Sequence, residues 1–403
     1  MLLALARRFW WRALAALMIL QLGFFLVWSI ISGPEIVYYA LRRCCDSRID
    51  DFGHYPGRRL QASDAPFHFS LRLGKVGLPE LVEYADGRRA PLDGLLESSD
   101  SVAFLVIKDD EIRYERYFQG YDASSLSKAF SASKSVFSVL FGMAVDDQLI
   151  RSTQQAVTDY VPELAGTGFE AVSLEDLLQM RSGAAYSDQL NPLGIHVTFT
   201  FTRDLEAAIL DMRTSGPAGG PFSYKSGNTA LLGLVLSRAL GRKSITDYAQ
   251  QRLWTPLGME SDGVWNLDHQ GAGLERTWCC LAATARDFAK IGRLFLNGGR
   301  RGEQQHLSRS WIERSTTGAF LADDWPQTPQ TRGFSNYGYQ WWLPEGGRGD
   351  FLASGKDGQF IYVAPARELL IVRLGWSYGK MRGKKMTDER WLRVFHSLAD
   401  QIE

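Results

Sequence analysis

Cysteine and histidine are scarce in this sequence, and neither sign of charge is in excess. Four cysteines in 403 residues, placed as Cys44-Cys45 and Cys279-Cys280, are too few for a disulfide-dense fold, and no CxxC pair suggests zinc. The six histidines (His54, His68, His196, His269, His306 and His396) include no pair at metal-ligand spacing. Each is read as an ordinary surface or core histidine, while a histidine base assembled from distant sequence stays open. Neither HExxH nor GxxxxGK[ST] occurs, which removes the common signatures of a zinc hydrolase and of a P-loop nucleotide site. The 45 basic side chains balance 45 acidic ones, so charge makes no case for a nucleic-acid partner. What is present is an apolar fraction of 45% with 22% charged residues, which excludes a mainly disordered chain. The length allows two domains, or one large domain carrying an insertion.

One long hydrophobic run stands apart. Residues 13–34 read ALAALMILQLGFFLVWSIISGP without a charge, enough for a helix to cross a bilayer, which takes about 20 residues. Arg7, Arg8 and Arg12 precede it, and Trp28, Tyr38 and Tyr39 stand where interfacial aromatics are expected. With no convincing A-x-A site after it, the run is read as an uncleaved signal anchor ahead of a cleaved signal. Arg42, Arg43 and Arg48 flank the far end, but the leading arginines lie closer to the span. The amino terminus is therefore expected in the cytoplasm and the bulk of the chain outside, in the periplasm. The expected organisation is an anchor over 1–34, a linker over 35–87 and a catalytic domain over 88–403.

Two hairpins are expected at opposite ends of that domain. VAFLVIK and IRYERYF flank Asp109-Asp110-Glu111, and QFIYVAP and LLIVRLG flank Ala366-Arg367-Glu368. Helical patterns fill the interval at 135–149, 174–180, 229–240, 245–253 and 284–296. The fold class is thus α/β (α+β), with a sheet closed by distant segments and a helical region inserted between them.

Ser-x-x-Lys occurs three times, at Ser125-Lys128, Ser131-Lys134 and Ser377-Lys380. Only Ser131 opens an apolar helical run, SASKSVFSVLFGMAV. Positions i and i+3 share a helix face, so the Lys134 amine falls beside the Ser131 hydroxyl. A serine hydroxyl needs a base to become a nucleophile, and a desolvated lysine can serve; the free N–H groups at a helix start favour a developing anion. Taken alone, the pair is better explained as a helix cap followed by a solvated lysine.

Further segments follow in order. GGPFSYKSGNTALLGL at 219–234 holds Tyr224, Ser226 and Asn228, and ASGKDGQFIYVAP at 353–365 holds Lys356-Asp357-Gly358. Together the three segments resemble the SxxK, YxN and KTG motifs of the serine β-lactamase and penicillin-binding-protein family, over about residues 90–400. VSLEDLLQMRSGAAY, LWTPLGME and ATARDFAKIGRLFLNGG are similar as well, and Ser173 with Asp176 makes a capping box. The resemblance implies Ser131 as nucleophile, Lys134 as its activating partner and Tyr224 as the proton relay to the leaving group and the deacylating water. It also implies an oxyanion hole from the backbone N–H groups of Ser131 and Gln359, and a substrate contact from Lys356. Gly358 is read as keeping the strand open to substrate, and Tyr186 and Trp341-Trp342 as pocket or core aromatics.

Ser226 stands where β-lactamases carry asparagine, with Asn228 two residues on, and Asp357 stands where KTG has threonine. These departures point to the 6-aminohexanoate-dimer hydrolase and esterase branch. The expectation is a serine hydrolase of amides or esters, without metal or organic cofactor, working on a small molecule or peptide and tied to the membrane by its first helix. A DD-peptidase and a catalytically silent binding protein are the alternatives. Cys279-Cys280 is read as buried free thiols, with a bridge to Cys44 or Cys45 as the other option.

Overall fold

Two left-handed aspartates set the first hairpin. Asp109 and Asp110 adopt φ of 53° and 60°, the backbone a tight turn needs to match the right-handed twist of its strands. In the computed structural model, which describes residues 2–34, 36–38, 47–72, 78–189, 191 and 193–402, that turn joins β2 (Ser101–Lys108) to β3 (Glu111–Tyr117). The second expected hairpin is also present, as β7 (Gln359–Ala364) and β8 (Leu369–Gly375). With β1 (Ser70–Leu71), β4 (Phe334–Tyr337), β5 (Trp342–Pro344) and β6 (Phe351–Gly355) they form one eight-stranded sheet. Its order is β4-β5-β6-β7-β8-β2-β3-β1. The two ends of the domain meet where β8 pairs antiparallel with β2, from Leu369 opposite Lys108 to Gly375 opposite Ser101.

Both faces of this sheet are covered, which is why its central strands read as unbroken apolar runs. On one face Leu105, Ile107, Ile361 and Val363 join α2 (Ser133–Asp146), α4 (Ser226–Leu240) and α5 (Ala285–Leu296) in a single core. On the other, Phe104, Val106 and Tyr362 pack against Trp391 and Phe395 of α6 (Asp388–Gln401). The expected Ser173–Asp176 capping box is formed, starting the short helix Leu174–Leu178.

Within the stretch read as linker, Gly57–Leu60 is a strand paired with Gly263–Asn266. It is the edge of a small four-stranded sheet that also contains Ser127–Lys128, just before the Ser131 turn. At the amino end, α1 (Leu2–Ser32) contains one segment, Trp10–Ile30, long and apolar enough to cross a membrane. Among the described residues it leaves most of its length uncovered and packs near its end, where Trp28 meets α3 (Ile195–Phe201). Tyr39, Arg42, Arg43, Cys44 and Cys45 lie outside the described residues.

Candidate active site

Ser131 sits in a single 3-10 turn, Phe130–Ala132, immediately before α2. Phe130 is held at φ 46°, a costly conformation for a bulky side chain and one that clusters at functional sites. The turn is wedged against the end of β6. A Cβ on Gly355 would lie 2.2 Å from the Ala129 carbonyl oxygen and 3.1 Å from the Ala132 nitrogen, so only glycine allows strand and turn this close.

One turn along α2, Lys134 Nζ lies 2.9 Å from Ser131 Oγ and 3.0 Å from the Trp278 carbonyl oxygen. Burial brings its pKa from 10.5 down to about 8, with the Asp188 carboxylate opposing the change. Tyr224, just before α4, places its ring centroid 4.9 Å from the same amine and stacks on Trp342 at 5.4 Å. Burial raises the Tyr224 phenol, against a hydrogen bond with Ser131, so the group stays protonated at neutral pH. Ser131, Tyr224 and Lys356 share one cavity of about 530 Å³, walled by Trp278 and Trp342.

The other Ser-x-x-Lys copies are not assembled in this way. Ser125 Oγ donates to Asp122 at 3.0 Å, while Lys128 is buried in an ion pair with Asp51. Ser377 Oγ donates to Asp100 at 2.6 Å. Ser377 also centres a Gly375-Trp376-Ser377-Tyr378-Gly379 run with GxSxG spacing, but a short hairpin follows it and not the helix that a nucleophile elbow needs.

The remaining expected site residues divide. Ser226 lines the cavity and its backbone N–H donates to Asp188 at 3.0 Å. Asn228 is fully buried away from the cavity, accepting from Ser182 Oγ at 2.6 Å. The Tyr186 hydroxyl meets His196 Nδ1 at 2.9 Å, its ring covers Gly227, and it is not part of the cavity wall. Lys356 is half-exposed, with Nζ 3.2 Å from the Ser47 carbonyl oxygen. The Gln359 side chain spans to Gly375, donating to its carbonyl oxygen at 2.8 Å and accepting from its N–H at 3.0 Å. Gly358 has φ 80°, and the space its Cβ would need is filled by the Arg373 guanidinium at 2.3 Å. Its glycine requirement is therefore set by backbone conformation and by Arg373. Of the tryptophan pair, Trp342 lines the cavity and Trp341 is fully buried against Phe295.

Several contributors carry no local motif. Asp188 and His196 both line the cavity and sit 3.6 Å apart. Burial lowers His196 below its usual 6.5. Asp388 lines it too, accepting from Ser354 Oγ at 2.7 Å, and burial raises its carboxyl. Arg373 is fully buried and donates to the carbonyls of Asp357 and Gly358 at 3.0 and 2.6 Å, pinning the β6–β7 turn from below.

The reading of Cys279-Cys280 as buried free thiols is corrected. The two are bridged to each other and half-buried in the cavity wall. Neighbouring side chains of an extended chain point to opposite faces; Cys280 at φ 74° turns both sulfurs to one side. Among the described residues no three of His, Cys, Asp and Glu converge as a metal ligand set.

Comparison with known proteins finds relatives that span most of the chain. A 6-aminohexanoate-dimer hydrolase of Paenarthrobacter ureafaciens is 28% identical over 308 residues, covering 71% of this chain and 75% of that protein. A solved structure from Bacillus anthracis, assigned as a 6-aminohexanoate-dimer hydrolase, superposes with a TM-score of 0.74 at 23% identity, covering 86% of this chain and 90% of its own. A class C beta-lactamase superposes with a TM-score of 0.56 at 18% identity, covering 77% of this chain and 94% of its own. The beta-lactamase family model matches residues 92–392, most of the chain, and the protein therefore belongs to the beta-lactamase family of serine hydrolases.

Proposed function

We propose that this protein hydrolyses an amide or ester through an acyl-enzyme on Ser131. The observation that carries the reading is the buried Lys134 amine, 2.9 Å from Ser131 Oγ, with its pKa brought down to about 8. In its neutral form Lys134 takes the Ser131 proton as Oγ bonds to the substrate carbonyl carbon. The negative oxygen so formed is held by the backbone N–H groups of Ser131 and Gln359; the Gln359 side chain is fully engaged elsewhere. Losing one such donor typically costs about 100- to 1000-fold in rate. Tyr224 passes a proton to the departing nitrogen or oxygen, and water then releases the acid by the reverse route. Lys356, at the cavity edge, meets a substrate carboxylate.

Ser226 and Asp357 stand where β-lactamases carry other residues, which supports an amide or ester of another kind over a β-lactam. We place the catalytic domain over 88–403, residues 35–87 as a linker or pre-domain segment from which Gly57–Leu60 pairs with Gly263–Asn266, and residues 1–34 as an anchor that holds the domain outside the cytoplasm. A reporter fused after Glu403 that is active only in the cytoplasm would reverse that orientation.

The test of the nucleophile is covalent labelling by a fluorophosphonate. Ser131→Ala should abolish both labelling and turnover, while Ser125→Ala and Ser377→Ala keep both. Labelling that persists in Ser131→Ala protein overturns the assignment.

A further inference from the structure

Among the described residues of the apolar helix, Trp28 is the one that also lines the cavity. Trp28 lies two positions before Ile30, where the membrane-length segment ends, so it sits about 3 Å along the helix axis from that end. Among the described side chains of the helix most are bare, with Ile19, Leu20 and Ile30 each about 70% exposed, while Phe25 and Ser29 are partly covered and Trp28 is only 3% exposed. It is covered by Val197 and Phe201 of α3, together with Ile36 and Val37. Trp28, Val197 and Phe201 also form part of the wall of the cavity that contains Ser131 and Tyr224. The lip they make is held in place. Arg276, buried beneath it, donates to the carbonyls of Phe199 at 2.6 Å and Thr202 at 3.1 Å, fixing the end of α3 that carries Phe201.

A bilayer-spanning α1 puts this lip at the level where hydrocarbon gives way to headgroups, the depth that interfacial tryptophan favours. Water-soluble substrates need no such placement; a substrate that resides in the membrane does. Resting on the anchor and the serine-hydrolase reading above, we infer that the substrate is a membrane-resident amphiphile. It is a long-chain ester or amide whose hydrocarbon chain lies along Trp28, Val197 and Phe201 while its carbonyl reaches Ser131. Ser131 Oγ bonds to the carbonyl carbon, the bond to the alcohol or amine breaks with a proton passing to that leaving group, and water then frees the fatty acid and restores Ser131. For chains short enough to stay monomeric in water, each methylene that enters the cavity raises kcat/KM by about 4-fold.

The experiment uses the full chain in phosphatidylcholine vesicles with two probes, p-nitrophenyl palmitate in the bilayer and p-nitrophenyl butyrate in the water. The palmitate rate is expected to follow its mole fraction in the membrane and not its bulk concentration. Trp28→Ala should lower the palmitate-to-butyrate ratio of kcat/KM by about 10-fold. Should that variant insert poorly, Phe201→Ser, on the domain side of the lip, should lower the same ratio. An unchanged ratio in a folded variant, or cleavage of butyrate without palmitate, overturns the inference and leaves the serine-hydrolase reading intact. Absence of cleavage of both probes together with absence of fluorophosphonate labelling overturns that underlying reading instead.

Discussion

If neutral Lys134 is the base, the pH profile of acylation must carry its titration. At a pKa of about 8, about one-tenth of the amine is neutral at pH 7, against roughly 3 in 10,000 at its ordinary 10.5. The net lowering by burial, against Asp188, therefore supplies about 300-fold more of the active form at neutral pH. For a neutral ester, kcat/KM is expected to rise about tenfold per pH unit from 6 towards 8 and to level off above it. Fluorophosphonate labelling rates should trace the same curve. The Asp188 carboxylate opposes the lowering, so Asp188→Asn should move the limb to lower pH.

The same burial has a stability signature whose sign follows from linkage. The folded pKa lies below the unfolded one, so between about pH 8 and 10.5 the unfolded chain binds more protons and stability rises with pH. Below pH 8 both states carry the proton and the full penalty, about 3 kcal/mol, is present. Compared with Lys134→Met, the wild-type chain should thus gain up to about 3 kcal/mol across that window in denaturant titrations. A kcat/KM profile flat between pH 6.5 and 9 would refute the assignment. A limb below pH 6.5 would move the base to His196, whose pKa burial pushes down from 6.5.

Four further outcomes are expected. Tyr224→Phe should lower kcat by about 100- to 10,000-fold on charged and neutral esters alike, whereas Lys356→Ala should raise KM only for the member of a matched pair that bears a carboxylate; equal losses on both would put Lys356 in the catalytic machinery. Gly355→Ala places a Cβ 2.2 Å from the Ala129 carbonyl, so it should cost about 1–3 kcal/mol in thermal or denaturant unfolding and lower labelling by about 100-fold as the Ser131 turn shifts. Opening the Cys279–Cys280 bridge, by a reductant or by Cys279→Ser with Cys280→Ser, should lower turnover, because the carbonyl that holds Lys134 belongs to the adjacent Trp278; unchanged activity with both thiols demonstrably free would remove that coupling.

Local pattern was enough wherever contact partners are close in sequence. The two hairpins were legible because each joins strands across a short turn, and the Ser173–Asp176 box because it spans three residues. Ser131 and Lys134 were legible together because one helical turn brings i and i+3 to the same face. The pairing of β8 with β2 followed only as an expectation, since nothing within either strand names its neighbour.

What the tertiary structure alone decided are the contacts made across long separations. Asn228 stands near Tyr224 in sequence, yet its amide is spent on Ser182 inside the domain, while Asp188, from another loop, meets the Ser226 N–H at the cavity. Arg373 shapes the turn at Asp357 and Gly358 from the neighbouring strand. The pairing of Cys279 with Cys280 depends on the left-handed backbone at Cys280, which residue type does not announce. Trp28 was legible as an interfacial aromatic, but that it also walls the cavity of Ser131 depends on α3 lying against the end of α1, more than 160 residues along the chain. Sequence therefore determined the chemistry that one turn of helix or one hairpin can assemble, and folding decided which distant side chains surround it, because burial, field and fit are properties of neighbours in space.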